Sequence, residues 1–263
     1  MPIFSPPIRG LILDMDGVLW KDTTPLVDLP AIFEKAKSSG IRVMLATNNA
    51  TRTTADYVKK ISTYGVEVDE SQIITAAIAT AEILSRRFPS GGPVYVVGER
   101  GLVHALEQRG FYRSDKNVVA VVGGLDLQIS YEKLKLATLL IRSGVPFYFT
   151  NIDRTYPTPE GLIPGAGTIL AALQAASDVE PILAGKPSPL MFEIALQRRG
   201  LQPSETLGVG DRLETDIAGA QRAGCKSAVV LSGVATMEQI RHWRPIPDII
   251  AKDLREVIEK ITA

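Results

Sequence analysis

Cysteine is nearly absent. Cys225 is the single one in 263 residues, so no internal disulfide forms and the fold rests on its core, as suits a reducing compartment. Histidine is almost as scarce: His104 and His242 stand in unrelated contexts. One thiol and two distant imidazoles do not make a zinc site, which needs several such ligands close together. Any metal must therefore be held by carboxylates. An excess of one charge is missing too. Twenty-nine Lys and Arg balance 29 Asp and Glu, and without a net field neither nucleic acid nor a membrane surface is an expected partner. No run reaches the roughly 18 apolar residues of a membrane span. Residues Met1 to Gly10 lack the basic segment and apolar stretch of an export signal. A soluble, cytoplasmic protein is expected.

What is present is an ordinary globular composition, 45% hydrophobic and 6% aromatic. Apolar runs of strand length alternate with segments of helical period, the pattern of βα units around a doubly wound, Rossmann-like parallel sheet. Three of these runs end on a polar residue. Leu11-Ile-Leu13 ends at Asp14, Ile41-Arg-Val-Met-Leu-Ala46 at Thr47, and Thr206-Leu-Gly-Val-Gly210 at Asp211. In open α/β sheets the ligand crevice lies outside the carboxyl ends of the strands, so these three residues are expected to converge. The middle of the chain has its own strands at Val94-Tyr-Val-Val97, Val118-Val-Ala-Val-Val122 and Pro146-Phe-Tyr-Phe149, and a helix over Tyr131–Arg142. It reads as an inserted α/β domain over 80–179, with 1–79 and 180–263 forming the core domain. The polar stretches 68–75 and 176–181 are the expected hinges.

Asp14-Met-Asp-Gly17 places two carboxylates where the chain leaves a strand. Alone, this is either a turn with an N-cap or a reactive pair. Thr47-Asn48-Asn49 offers a hydroxyl and N–H groups, suited to a helix cap or to a phosphate oxygen. Lys186 is set between Gly185 and Pro187, and Gly208-Val-Gly-Asp-Arg-Leu-Glu-Thr-Asp216 adds Asp211 and Asp216. Gathered at one crevice, Asp14, Asp16, Asp211 and Asp216 would repel one another and require a cation. Lys186 supplies one charge, and Mg²⁺, which prefers oxygen ligands, supplies two.

Asp-x-Asp-Gly, a strand-ending Thr-Asn, Gly-Lys-Pro and Gly-Asp-Arg-x-x-Thr-Asp, in that order, resemble the four motifs of the haloacid dehalogenase-like hydrolases. The insertion, with Thr150-Asn-Ile-Asp-Arg-Thr-Tyr-Pro157, Pro159-Glu-Gly161 and Pro164-Gly-Ala-Gly167, resembles the cap of subfamily IIA, the NagD-like and 4-nitrophenylphosphatase branch. The similarity spans essentially the whole chain.

The resemblance implies that Asp14 attacks phosphorus and forms an aspartyl-phosphate, with Asp16 as general acid and then base. It implies that Thr47 and the N–H of Asn48 bind the phosphoryl group, and that Lys186 neutralises both it and Asp14. Mg²⁺ would be held by Asp14, the Asp16 carbonyl and Asp211, with Asp216 fixing metal waters or Lys186. An acid at position 16 favours phosphatase or phosphomutase within the superfamily. The expected substrate is a small phosphate ester.

Leaving-group selection falls to the cap, where Asn151, Asp153 and Arg154 are the candidates. Arg154 suits a carboxylate or a second phosphate through its planar fork, or an ion pair with Asp153. Gly165-Ala-Gly-Thr168 is either an anion site or an ordinary helix start. Trp20 and Trp243 are either core or walls for a ring. An exposed cap face is a candidate homodimer surface. Two other functions are compatible with the same residues: a phosphomutase that returns the group to a bound sugar, and a non-catalytic binder of phosphorylated metabolites.

Overall fold

The computed structural model describes residues 3–158 and 160–263. Met1, Pro2 and Pro159, which entered the readings of the N-terminus and of the cap motif, lie outside the described residues. Two compact units make up the chain. The first takes Met1–Thr47, Ala55–Ile74 and Lys186–Ala263; the second takes Asn48–Thr54 and Thr75–Gly185. The range 80–179 lies inside the second unit, which also includes the loop Asn48–Thr54. The chain returns to the first unit at Lys186, so the polar stretch 176–181 falls within the second unit instead of at its boundary.

The first unit is built on a six-stranded parallel sheet. Its order is Ile249–Ala251, Lys226–Val230, Thr206–Gly210, Gly10–Leu13, Arg42–Thr47, Ile73–Thr75. The central strands are apolar along their length because both faces are covered. Leu11, Leu13, Val43, Leu45, Leu207 and Val209 share one cluster with Leu29, Ile32, Tyr57, Ile61, Leu254, Val257 and Ile258 from flanking helices. On the opposite face, Gly208 lies against Phe192 and Ala220 of other helices, which makes the sheet doubly wound. Each fully buried aliphatic side chain in such a layer contributes about 1.5–3 kcal/mol. Helix Leu29–Ser38 starts at Asp28, whose Oδ1 accepts from Ala31 N at 3.1 Å. The tail helix Leu254–Thr262 buries Leu254, Val257 and Ile258, one face at helical spacing. Cys225 is buried, and burial pushes its thiol up to about 12, which disfavours the thiolate.

The second unit has a five-stranded parallel sheet in the order Ile182–Leu183, Phe147–Phe149, Ala120–Gly123, Gly92–Val97, Phe111–Arg113. Helix Tyr131–Arg142 begins at Ser130, whose hydroxyl accepts from Lys133 N. Ala137 and Ile141 are its buried residues, with Leu134 and Leu140 packed beside them. Antiparallel strands Thr155–Thr158 and Gly161–Pro164 form a separate hairpin. Among the described residues no helix is long and apolar enough to cross a membrane.

Candidate active site

Strands Thr206–Gly210, Gly10–Leu13 and Arg42–Thr47 are neighbours, and Leu13 pairs in register with Val209 on one side and Leu45 on the other. Parallel strands in register release their chains at the same edge of the sheet. Asp14 leaves with its N–H still bonded to Val209 O at 2.8 Å. Asp14, Asp211 and Asp216 offer carboxylate oxygens that lie within 4.8 Å of one another. Of the four carboxylates expected at one crevice, Asp14, Asp211 and Asp216 come together.

Lys186 sits among them, 2% exposed. Its Nζ donates to Asp14 Oδ1 at 2.5 Å and to Ala46 O at 3.0 Å, and lies 2.6 Å from Asp216 Oδ1. Burial works against its charge, but Asp14 and Asp216 outweigh it and hold the ammonium above the ordinary lysine pKa. Three carboxylates around one ammonium leave a surplus of negative charge. Burial therefore pushes the Asp14 carboxyl well above the usual range, with Asp216 and Asp211 adding to it against Lys186. Asp211 is pushed up to about 7, chiefly by burial and then by Asp216, against the Val234 N–H that it accepts at 2.9 Å.

Glycines make room for these acids. Gly17 has φ +86°, and a Cβ on it would run into the Asp211 carboxylate; a Cβ on Gly233 would do the same from the other side. A Cβ on Gly210 would occupy the place of Asp216. Asp216 lies in a wide, π-type turn, Leu213–Ile217, ahead of the regular helix Ala218–Arg222. This turn lets its Oδ2 accept from Arg212 N at 3.0 Å while Oδ1 meets Lys186. Both oxygens of Asp216 are thus committed to the protein, in keeping with a supporting role.

Asp16 follows a different course. Its Oδ1 accepts from Trp20 Nε1 at 2.9 Å, and Trp20 is fully buried, a core residue and not an exposed ring wall. Thr47 is the buried last residue of its strand. The next residue, Asn48, belongs to the second unit. There, Asn151 Nδ2 donates to Asn48 O at 2.8 Å, and Asn48 Nδ2 donates to Asp153 Oδ1 at 3.3 Å. Asp153 N in turn donates to Asn151 Oδ1 at 3.1 Å. Asn48, Asn151 and Asp153 form one hydrogen-bonded group, while the Arg154 side chain is exposed. Gly167 N donates to Asp153 O and Gly165 N to Arg154 O, both at 2.8 Å, so this helix start is occupied by its own loop and not open to an anion.

Sequence reasoning attached no role to the segment after strand Lys226–Val230. Ser232 Oγ donates to Gly17 O at 2.7 Å, and Val234 N holds Asp211. The signal was a fourth apolar strand closing on Ser-Gly.

A family model of haloacid dehalogenase-like hydrolases matches residues 11–112, and a second, HAD-hydrolase-like model matches residues 183–257. An acid sugar phosphatase of Staphylococcus aureus is 34% identical over 254 residues, covering 96% of this chain and 98% of its own. Among solved structures, NagD from E. coli K-12 is 32% identical with a TM-score of 0.88, over 95% of this chain and 98% of that one. A 4-nitrophenylphosphatase from Thermotoga maritima is 34% identical with a TM-score of 0.90, over 96% and 97%. The chain belongs to the haloacid dehalogenase-like hydrolases. Within them it falls in the NagD-like and 4-nitrophenylphosphatase branch of subfamily IIA.

For a hydrolase of this family, the donor set suits a hard divalent cation. The ligand atoms that Asp14, Asp211 and Asp216 offer are carboxylate oxygens, and three such acids around the single Lys186 ammonium leave room for further positive charge. Mg²⁺ fits both requirements.

Proposed function

We propose that this phosphoric monoester hydrolase is Mg²⁺-dependent and cleaves small phosphomonoesters through an aspartyl-phosphate on Asp14, with Asp16 as general acid and then base. The observation that carries the reading is the buried group of Asp14, Lys186, Asp211 and Asp216 at one edge of the parallel sheet. A binding site has no need to press a carboxylate into a position where its charge is disfavoured; a nucleophile that must meet phosphorus does.

In this reading an Asp14 oxygen forms a bond to phosphorus as the ester oxygen leaves with the bonding electron pair and takes a proton from Asp16. Asp16 then removes a proton from the water that attacks the phosphoenzyme, and Asp14 is regenerated. Lys186 keeps Asp14 oriented and balances the incoming phosphate. The Thr47 hydroxyl and the Asn48 N–H, consecutive in the chain, bind the phosphoryl oxygens. Asp14, Asp211 and the Asp16 carbonyl would hold Mg²⁺, which supplies charge stabilisation for the phosphoryl oxygens. Arg154 contributes to selection of the leaving group; Asn151 and Asp153 support it by holding Asn48.

Phosphate release from sugar, nucleotide, glycolate and pyridoxal phosphates, with Mg²⁺ and with excess chelator, tests this directly. Chelator should abolish turnover, and Asp14→Asn should lower it about a thousandfold or more without unfolding the protein. Release that survives either treatment would refute the mechanism, and isomer formation without release would identify a mutase.

A further inference from the structure

We propose that Trp20 is a positioning residue for Asp16, fixing which carboxylate oxygen carries the catalytic proton; the proposal rests on the phosphatase reading above. The indole Nε1 donates to Asp16 Oδ1 at 2.9 Å from a ring with no solvent exposure. A buried indole N–H needs an acceptor. Trp20 has Asp16 as that acceptor, four residues back in its own chain.

The local fold makes this contact unavoidable. Gly17, at positive φ, turns the chain, and its N–H reaches Trp20 O at 2.8 Å while Trp20 N reaches Met15 O at 3.3 Å. Trp20–Lys21 then pairs with Thr24–Pro25 as a short hairpin. The ring is clamped from beyond that hairpin. Lys60 Nζ lies 4.1 Å from its centroid and donates to Asp22 O at 2.8 Å. The Tyr64 ring packs at 5.7 Å, and its hydroxyl donates to Thr23 O at 2.9 Å. Both residues thus tie the same hairpin to the indole ring and support the orientation in which its N–H meets Asp16.

The chemical consequence concerns the proton. An indole nitrogen only donates, and the carbonyl oxygen of a neutral carboxyl accepts better than its hydroxyl oxygen, so this bond favours the neutral form of Asp16 with Oδ1 as the carbonyl. The bond thereby directs the proton to Oδ2. When Asp14 bonds to phosphorus and the phosphorus–ester bond breaks, the electron pair goes to the ester oxygen, which takes the proton from Oδ2. The same Oδ2 later receives a proton from water. A carboxyl group that otherwise rotates between two equivalent oxygens is reduced to one acid position.

The test compares two esters on the Mg²⁺-loaded enzyme by kcat/KM, which reports steps up to formation of the phosphoenzyme. An alkyl phosphate such as glycerol phosphate needs its leaving oxygen protonated; 4-nitrophenyl phosphate does not. Trp20→Phe should lower kcat/KM for the alkyl ester about tenfold or more and for the nitrophenyl ester about threefold or less. Because a buried indole is being cut back, the same comparison is made with 3-benzothienylalanine at position 20, which keeps the shape and removes only the donor. Equal losses on the two esters with that residue, a greater loss on the nitrophenyl ester, or no loss on either would overturn the proposal. Inactivity of the unaltered enzyme toward both esters would instead overturn the phosphatase reading, and the proposal with it.

Discussion

Each unit of the molecule sets a lysine against a carboxylate buried just past a parallel strand, yet the two arrangements differ in balance. In the second unit, Asp126 follows strand Ala120–Gly123 and faces Lys133 Nζ at 2.6 Å. Its Oδ1 also accepts from Gln128 N at 2.9 Å, and Lys133 donates to Gln128 O at 3.1 Å. One acid meets one ammonium, with backbone groups absorbing the remainder, and Lys133 stays 35% exposed. In the first unit a lysine only 2% exposed serves Asp14 and Asp216 at once, with Asp211 beside them. The first pair is complete as it stands. The second group is short of positive charge, which is the difference on which the proposed chemistry rests.

Removing each lysine measures the difference. Lys186→Met should lower the unfolding free energy of the metal-free protein at pH 8 by about 3–5 kcal/mol, since it strands buried carboxylates. Lys133→Met should cost about 1 kcal/mol, because solvent already screens that pair. Urea denaturation of both variants gives the two numbers, and equal costs would erase the contrast.

Acidity sharpens it further. Asp211, raised to about 7, binds a proton in the folded state where the unfolded chain does not, between about pH 4 and about pH 7. The metal-free fold therefore loses stability as pH rises through that window and stays at the lower level above it. Protons and Mg²⁺ compete for the same oxygens. Millimolar Mg²⁺ should raise Tm by about 3 °C or more at pH 8 and by a small fraction of that at pH 5. An equal gain at both pH values would show that the ion does not bind these acids.

The smallest effect is expected in the second unit. Arg154→Ala should raise KM several-fold for esters carrying a carboxylate or second phosphate, on the order of one lost charged hydrogen bond, and leave KM for 4-nitrophenyl phosphate nearly unchanged. A uniform rise would reduce Arg154 to packing.

The sheet and its acidic edge were legible because short apolar runs ending at Asp14, Thr47 and Asp211 carry a local signal. Parallel pairing then brings those ends together whatever the intervening length. Lys186, which alone reads as a solvated surface charge, stood out only in company with the Asp-x-Asp-Gly and Gly-Asp-Arg motifs. The links among side chains were not legible. Trp20 reads as a core aromatic, and its bond to Asp16 depends on a hairpin of two-residue strands, too short to show any alternation. The hairpin Thr155–Thr158 and Gly161–Pro164 contains prolines at 157 and 164, residues that argue against a strand except at an edge. The hydrogen-bonded group of Asn48, Asn151 and Asp153 spans more than a hundred residues of chain, and each member alone reads as an ordinary cap or turn residue.

The glycines at 17, 210 and 233 carry a consequence for sequence drift. Asp211 and Asp216 are enclosed on those sides by bare main chain, so a methyl group at any of the three positions meets a carboxylate before it meets solvent. Exchange at positions with no chemistry of their own would thereby displace an acid of the cluster, and the stretch of sequence under constraint is wider than the acids themselves.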